Sequence, residues 1–512
     1  MPSYLSPGVY VEEVDSGARP IEGVGTAVAA FIGLAADGPT NEPVLVTNWT
    51  QFTDTFGDFT EGGYLAHAVY GYFLNGGGSA YVVRVGANGK VPAAPSARGE
   101  LVAGGDARVG AYKITALATG PSGNDISVEV TIPDDSPEDV FKLIVRGSGG
   151  KVEEFEGLTT KRGRQSAQTV VNARSELIRL EETSPSPQRP NAGTISLSGG
   201  NHPQAAAPAR LSPQDYVGDP SDRTGFGGLE AIDNVTMVSV PDLMAAYEKG
   251  MIDSEGLQAV QLGLIAHAEL MGDRVAILDP PPHMSAQQIL EWRRDKAGYD
   301  SKQAVLYWPW VKVFDPPTGN KIFVPPSGHM AGIWARNDST RGVHKAPANE
   351  VVRGAISLEI NITKGEHDQL NPVGINCIRS FPSRGMRVWG ARTLSSDAAW
   401  RYLNVRRFFN YLEKSILTGT DWVVFEPNDI ALWAKIRRTI ASFLVMEWRK
   451  GALFGASPAE AFYVKCDDET NPAEGIDRGE VVCEIGVAPV KPAEFVVFRL
   501  SQFSGGVSLV EA

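Results

Sequence analysis

Two groups of residues in this 512-residue chain have types and spacing that could do chemistry. The first is Ser327-Gly-His-Met-Ala331, a serine among small residues with a histidine two places on, which is superficially the setting of a hydrolase nucleophile. Such a serine needs a base within hydrogen-bond reach and an acid to orient that base. No GxSxG accompanies it, and Pro325, Pro326 and Gly328 read as a rigid turn, so His329 is expected in a turn or at an interface and no catalytic residue is assigned. The second group is basic. At 100° per residue Lys435, Arg438 and Arg449 gather on one side of a helix with Ser442 among them, opposite an apolar stripe. Charges opposite a core stripe are what any solvated surface helix shows.

Metal and cofactor chemistry find no motif. The histidines (His67, His202, His267, His283, His329, His344 and His367) form neither HExxH nor a pair at ligand spacing with cysteine. Cys377, Cys466 and Cys483 lack CxxC spacing and cannot all pair, which points to a reducing compartment and to small core residues. Gly76 to Gly78 leave a helix and enter a strand, whereas a phosphate loop runs from a strand into a helix with Lys and Ser or Thr at its end. A helix C-cap is the expected role. A net charge of −13 argues against nucleic acid as a partner. Neither a basic leader with an apolar stretch nor eighteen uninterrupted apolar residues occurs, so the expectation is a chain that is not Sec-exported and does not span a membrane.

The elements that must carry these residues read as several domains, since 512 residues with 43% hydrophobic content exceed one core. From Thr26 the pattern is α/β: TAVAAFIGLA and AYVVRVG as buried strands, FTDTFGDF as a turn-rich connection, and YLAHAVYGYFLN as a helix. Ala, Pro, Gly and Ser accumulate between Asn88 and Gly110 and again from Ser198 to Pro213, marking boundaries. Between them lie the strands AYKITAL, DISVEVTI and VFKLIVRG and a helix around Gln168 to Leu180. The α/β pattern then resumes with NVTMVSVPD, RVAILDPPP and AVLYWPWVKVF as strands and helices over Leu257 to Met271 and Ala286 to Lys296.

Large apolar side chains are densest from Asn371 to Arg499. One helix, capped by Ser396 or Asp397, carries Val405, Phe408, Phe409, Leu412 and Ile416 and stops at Gly419. A second starts at Pro427 with Asn428 or Asp429 and carries Ile430, Trp433, Ile436, Ile440, Phe443 and Leu444. Short strands are expected at Asp421 to Phe425, Ala461 to Lys465, Val481 to Ile485 and Glu494 to Leu500. The last follows Pro489 and Pro492, so it sits at the end of a stiff tether; Val9 to Val14 is its counterpart at the other end, separated by the linker Ser16 to Pro20.

The residues YWPWVKV, VPPSGHMAGIWARND, RGVHKAPAN, LNPVGIN, VWGARTL, VRRFFNYLEKSI, WVVFEPND, GALFG and CEIGVAPVKPAEFVVFR, with SPGVYVEEV at the start, resemble the tail sheath proteins of contractile phages and phage-tail-like injection systems. The resemblance implies a multidomain α/β and α+β fold: a discontinuous α/β middle domain, distantly subtilisin-like, with an inserted β-rich domain, plus a C-terminal α+β domain that exchanges strands with its neighbours. Its divisions are an arm over 1–20, middle-domain parts over 21–92 and 214–370, an insertion over 93–213, a C-terminal core over 371–488 and an arm over 489–512. It implies a structural, non-enzymatic subunit without cofactor or metal, assembled in the bacterial cytoplasm into a helical homopolymer with an inner tube, a baseplate and a terminal cap. Val9, Tyr10, Val11 and Glu12, with Phe495, Val496, Val497 and Phe498, would then be inter-subunit strands, and Lys435, Arg438 and Arg449 would face the tube. The competing reading is an α/β hydrolase-like or binding protein that remains a small oligomer.

Overall fold

The computed structural model describes residues 20–85, 96–103, 109–119, 121–133, 136–147, 151–183, 188–198 and 211–499. Two compact units divide the chain, residues 1–89 with 210–512 and residues 90–209.

The first unit opens with β1 (Val28–Gly33), β2 (Pro43–Val46), α1 (Trp49–Phe56), α2 (Leu65–Asn75) and β3 (Ser79–Arg84). α1 occupies the stretch that read as a turn-rich connection. Asn48 caps it by accepting the Gln51 N–H, and Phe52 and Phe56, one turn apart, bury together with rings 5.6 Å apart. α2 ends as expected, on Gly76 in the left-handed region at φ 116°.

The second unit contains β4 (Ser96–Ala103), β5 (Val109–Thr119), β6 (Ser127–Thr131), β7 (Val140–Arg146), β8 (Val152–Thr159), α3 (Ala167–Arg174), β9 (Ile178–Glu182) and β10 (Gly193–Ser196). They form one sheet ordered β4-β5-β9 and another ordered β10-β6-β7-β8, around a core that includes Tyr112, Val128, Phe141, Leu143 and Leu180. The helix expected to reach Leu180 stops at Arg174. The Ser175 hydroxyl accepts the N–H groups of Leu177 and Ile178, turning the chain into β9.

The first unit resumes with α4 (Pro213–Val217), β11 (Met237–Ser239), α5 (Asp242–Glu248), α6 (Ser254–Met271), β12 (Val275–Leu278), α7 (Ala286–Glu291), β13 (Ala304–Trp308), β14 (Val311–Phe314), β15 (Lys321–Val324), α8 (Ser327–Arg341), β16 (Ser357–Leu358), α9 (Lys364–Leu370), β17 (Ile375–Phe381) and β18 (Gly385–Val388). Its main sheet has the order β18-β17-β13-β12-β11-β1-β3-β2. The six strands from β17 to β3 are parallel, with β18 and β2 antiparallel at the edges. β12 and β13 are buried at every position, the pattern of strands covered on both faces.

Three expectations change here. AVLYWPWVKVF is two strands, β13 in the main sheet and β14 in a three-stranded sheet, because Pro309 has no N–H to continue a ladder. The turn expected at Pro325 to Gly328 is the start of the buried helix α8. Residues 375–388, assigned by the sequence reading to the C-terminal core, form β17 and β18 and complete the main sheet.

The chain continues with α10 (Leu403–Gly419), α11 (Ile430–Arg449), α12 (Pro458–Ala461), β19 (Phe462–Lys465), α13 (Ala473–Asp477) and β20 (Glu484–Val487). Phe408, Leu412, Ile436, Ile440, Phe443 and Leu444 pack together as the apolar periodicity requires. Asp429 caps α11 by accepting the Leu432 N–H at 2.7 Å, but Ile430, expected inside, is 74% exposed because it precedes the first packed turn. Asp397 caps a short turn at Ala398–Trp400 rather than α10, and Ser396 binds Asp300. Asp421–Val423 is a single 3-10 turn rather than a strand, and Phe425 follows it at φ 69°, fully exposed.

Candidate functional site

Ser327 opens α8 with no exposure to solvent. Its N–H and hydroxyl donate to Asp279 Oδ1 and Oδ2 at 3.0 and 2.5 Å. His329 is equally buried, and burial together with the nearby His67 lowers its pKa to about 4. His67 in turn contacts Asp315 at 3.1 Å. The serine hydroxyl therefore serves a carboxylate, not an imidazole, and both groups are sealed from solvent. The small residues of the motif have a packing reason. A Cβ on Gly328 would lie 2.3 Å from the Ala68 carbonyl oxygen and one on Gly332 2.3 Å from that of Tyr72, so α8 crosses α2 at backbone contact.

Asp279 gives this cluster a pH signature. Burial pushes its carboxyl up to about 7, against the pull of the two Ser327 bonds. The folded chain thus retains a proton that an unfolded chain releases near 3.8, so the group's stabilising contribution is complete below that value and is lost as pH rises through about 7. Asp279→Asn, which can keep both Ser327 contacts, is expected to flatten the fall in urea midpoint between pH 4 and pH 8; an unchanged slope would refute the assignment.

The residues singled out for assembly lie elsewhere. Val9, Tyr10, Val11 and Glu12 fall outside the described residues. The root of that arm is visible. Ile21 is 2% exposed within the α10–α11 core, although the sequence reading placed it in the middle domain. The Val24 N–H donates to Ser415 Oγ at 3.1 Å, and the Thr26 carbonyl accepts from Arg407, which also grips Asp338 at 2.6 Å.

The other root is at Glu494. It accepts from Arg392 Nε and Nη2 at 2.8 and 2.6 Å, from Asn371 Nδ2 at 2.8 Å and from the Tyr402 hydroxyl at 3.3 Å. Burial raises its pKa, but the Arg392 and Asn371 bonds outweigh that and hold the carboxyl below the usual range. Beyond this clamp Phe495, Val496, Val497 and Phe498 are 75%, 67%, 78% and 85% exposed. The strand expected from Glu494 to Leu500 has no ladder partner over its described residues, which end at Arg499. Upstream, β19 and β20 form a sheet of only two strands.

On α11, Arg438 and Arg449 are exposed and Lys435 is half-buried, its ammonium 4.1 Å above the Trp422 ring. Among the described residues none of the three has an ion-pair partner. Val424 and Phe425, which the sequence reading placed in a strand, are exposed in the segment before this helix.

Residues 224–394 match the family model described as phage tail sheath protein central domain, and residues 395–503 match the phage tail sheath C-terminal domain. This chain belongs to the contractile tail sheath family. Among sheath relatives, the tail sheath protein of Vibrio phage KVP40 is 25% identical over 346 residues, 62% of this chain and 48% of its own length. The chain thus spans about half of that relative. The tail sheath protein of Burkholderia phage BcepMu is 24% identical, with 96% of this chain and 95% of the relative aligned. In fold, the chain is similar to the helical sheath of the anti-feeding prophage in its contracted state, with a TM-score of 0.60, 22% identity, and coverage of 98% of this chain and 100% of that one.

Proposed function

We propose that this sheath chain polymerises helically around an inner tube and contracts to drive the tube through a target envelope, with both chain ends lent to neighbouring subunits. The observation that carries this reading is the C-terminal arm. Phe495 to Phe498 are apolar at four consecutive positions, so a strand made of them presents apolar side chains on both faces and suits a place inside a covered sheet. The two-stranded β19–β20 sheet is marginal alone and has open edges to offer. Added strands are held by backbone hydrogen bonds as a unit.

Val9 to Glu12 are the proposed counterpart at the N-terminal end. The divisions at 1–20, 93–213 and 489–512 would then be arm, outward-facing insertion and arm. A baseplate and a terminal cap are the proposed partners at the polymer's ends, and the bacterial cytoplasm is the proposed place of assembly. Electron microscopy of purified protein with and without inner-tube protein tests the reading. Tubes of two lengths and widths are expected; a small oligomer under all conditions would refute it.

Lys435, Arg438 and Arg449 are the proposed tube-facing residues. Exposed ion pairs at about 0–1 kcal/mol each hold a tube weakly enough to be released. Lys435→Glu with Arg438→Glu is expected to reduce assembly on tubes while sparing tube-free polymers, scored by cosedimentation. Full tube occupancy by the double variant would turn this helix face elsewhere.

A further inference from the structure

A cavity of about 390 Å³ opens between the segment after α7 and the loop that carries Arg392 to Arg401. Arg293, Arg294, Arg392 and Arg401 line it, with Asp300 as its carboxylate. Two of these charges are already used. Arg392 is committed to Glu494, and Asp300 accepts the Ser396 N–H and hydroxyl, which lower its pKa. Arg293, Arg294 and Arg401 have no ion-pair partner among the described residues.

Arg293 is the most telling. Its Nη2 donates to the Tyr299 and Leu394 carbonyls at 2.7 and 3.4 Å, but its buried Nε finds no partner, and burial lowers its pKa against the opposing pull of Asp300. Arg293 is half-buried with no carboxylate in ion-pair contact, and partial withdrawal of a charge from water is costly when it is not paired. Three guanidiniums around one opening favour a planar, bidentate acceptor.

We infer that this pocket binds a carboxylate side chain of a neighbouring copy of the same chain. With 60 Asp and Glu against 47 Lys and Arg, each copy has an excess of carboxylates to offer, and the same acidic excess disfavours a nucleic acid phosphate. Because Arg392 joins the pocket to the Glu494 clamp, a neighbour's carboxylate would be seated beside the root of the C-terminal arm. The inference rests on the sheath reading.

Arg294 and Arg401 are exposed, so Arg294→Glu with Arg401→Glu should fold. The experiment compares the critical concentration for tube formation of wild-type and variant protein, without inner tube, across a range of salt. The expected result is a critical concentration raised about tenfold, equivalent to about 1.4 kcal/mol. Most of the salt dependence is lost, and Arg294→Lys with Arg401→Lys, which keeps the charge but not the planar fork, restores only part of it. Should the Glu pair fail to fold, Arg294→Ser with Arg401→Ser makes the same comparison. Wild-type tubes matched by variant tubes in concentration and salt dependence would overturn the pocket alone. A defect seen only when inner tube is present would also overturn it, since the carboxylate would then belong to the tube. Wild-type protein that forms no tubes would remove the sheath reading and this contact together.

Discussion

Chains ending at Glu494 are expected to fold and to form no tubes. The clamp of Glu494 to Arg392, Asn371 and Tyr402 stays intact in such a chain, and so do the contacts that bring residues 488–490 against the turn after α11: the Phe454 N–H to the Ala488 carbonyl and the Val490 N–H to that of Ala452. What is lost is the exposed quartet Phe495 to Phe498, which buries little in the monomer. Circular dichroism and the melting temperature should therefore match wild type, while sedimentation and electron microscopy should show a loss of polymer. Replacing Phe495 and Val497 by Ser in the full chain separates the two faces of the arm. If only one face enters a neighbour's core, that pair and the pair Val496 and Phe498 will differ in effect. Normal, contractile sheaths from the truncated chain would show that this arm is not what connects the subunits.

The largest loss of monomer stability is expected from Arg407→Met. The Arg407 and Asp338 side chains are 3% and 5% exposed; the guanidinium donates to both carboxylate oxygens at 2.9 and 2.6 Å and stacks 4.8 Å over Trp334. It also donates to the Thr26 carbonyl, so one side chain ties α10 to α8 and to the strand-entry segment behind the N-terminal arm. Methionine fills much of the space but leaves Asp338 buried, with the Thr26 hydroxyl as its remaining contact of this set. Removing one partner of such a pair costs about 3–5 kcal/mol. Urea denaturation should show the fall, and adding Asp338→Asn should recover part of it by removing the stranded charge. A loss under 1 kcal/mol would mean that water reaches Asp338 and that the pair does not couple these elements.

Local patterns in the sequence determined much of this architecture. The apolar runs over Val28–Gly33, Ser79–Arg84 and Val275–Leu278 read as buried strands, the glycine after Asn75 as the end of a helix, and Asn428 or Asp429 before a 3.6-residue stripe as the start of one, of which the structure uses Asp429. These features are set by backbone geometry and by which face of one element is apolar, and both are written within a dozen residues. The family resemblance was legible for the same reason, carried in contiguous motifs. Tertiary structure decided the rest. Ser327-Gly-His-Met-Ala331 contains poor helix formers after two prolines, yet it is helical because Gly328 and Gly332 let α8 rest on the backbone of α2, more than 250 residues earlier. Asp421 to Phe425 has strand-forming residues but finds no ladder, so it turns and leaves Phe425 in solvent. Glu494 and Asn371 meet across 123 residues, as do the arginines around the pocket across about 100. No local rule brings such groups together. Their meeting depends on which segments the main sheet and the α10–α11 core set side by side, and a charge acquires its partner, or is left without one, only at that point.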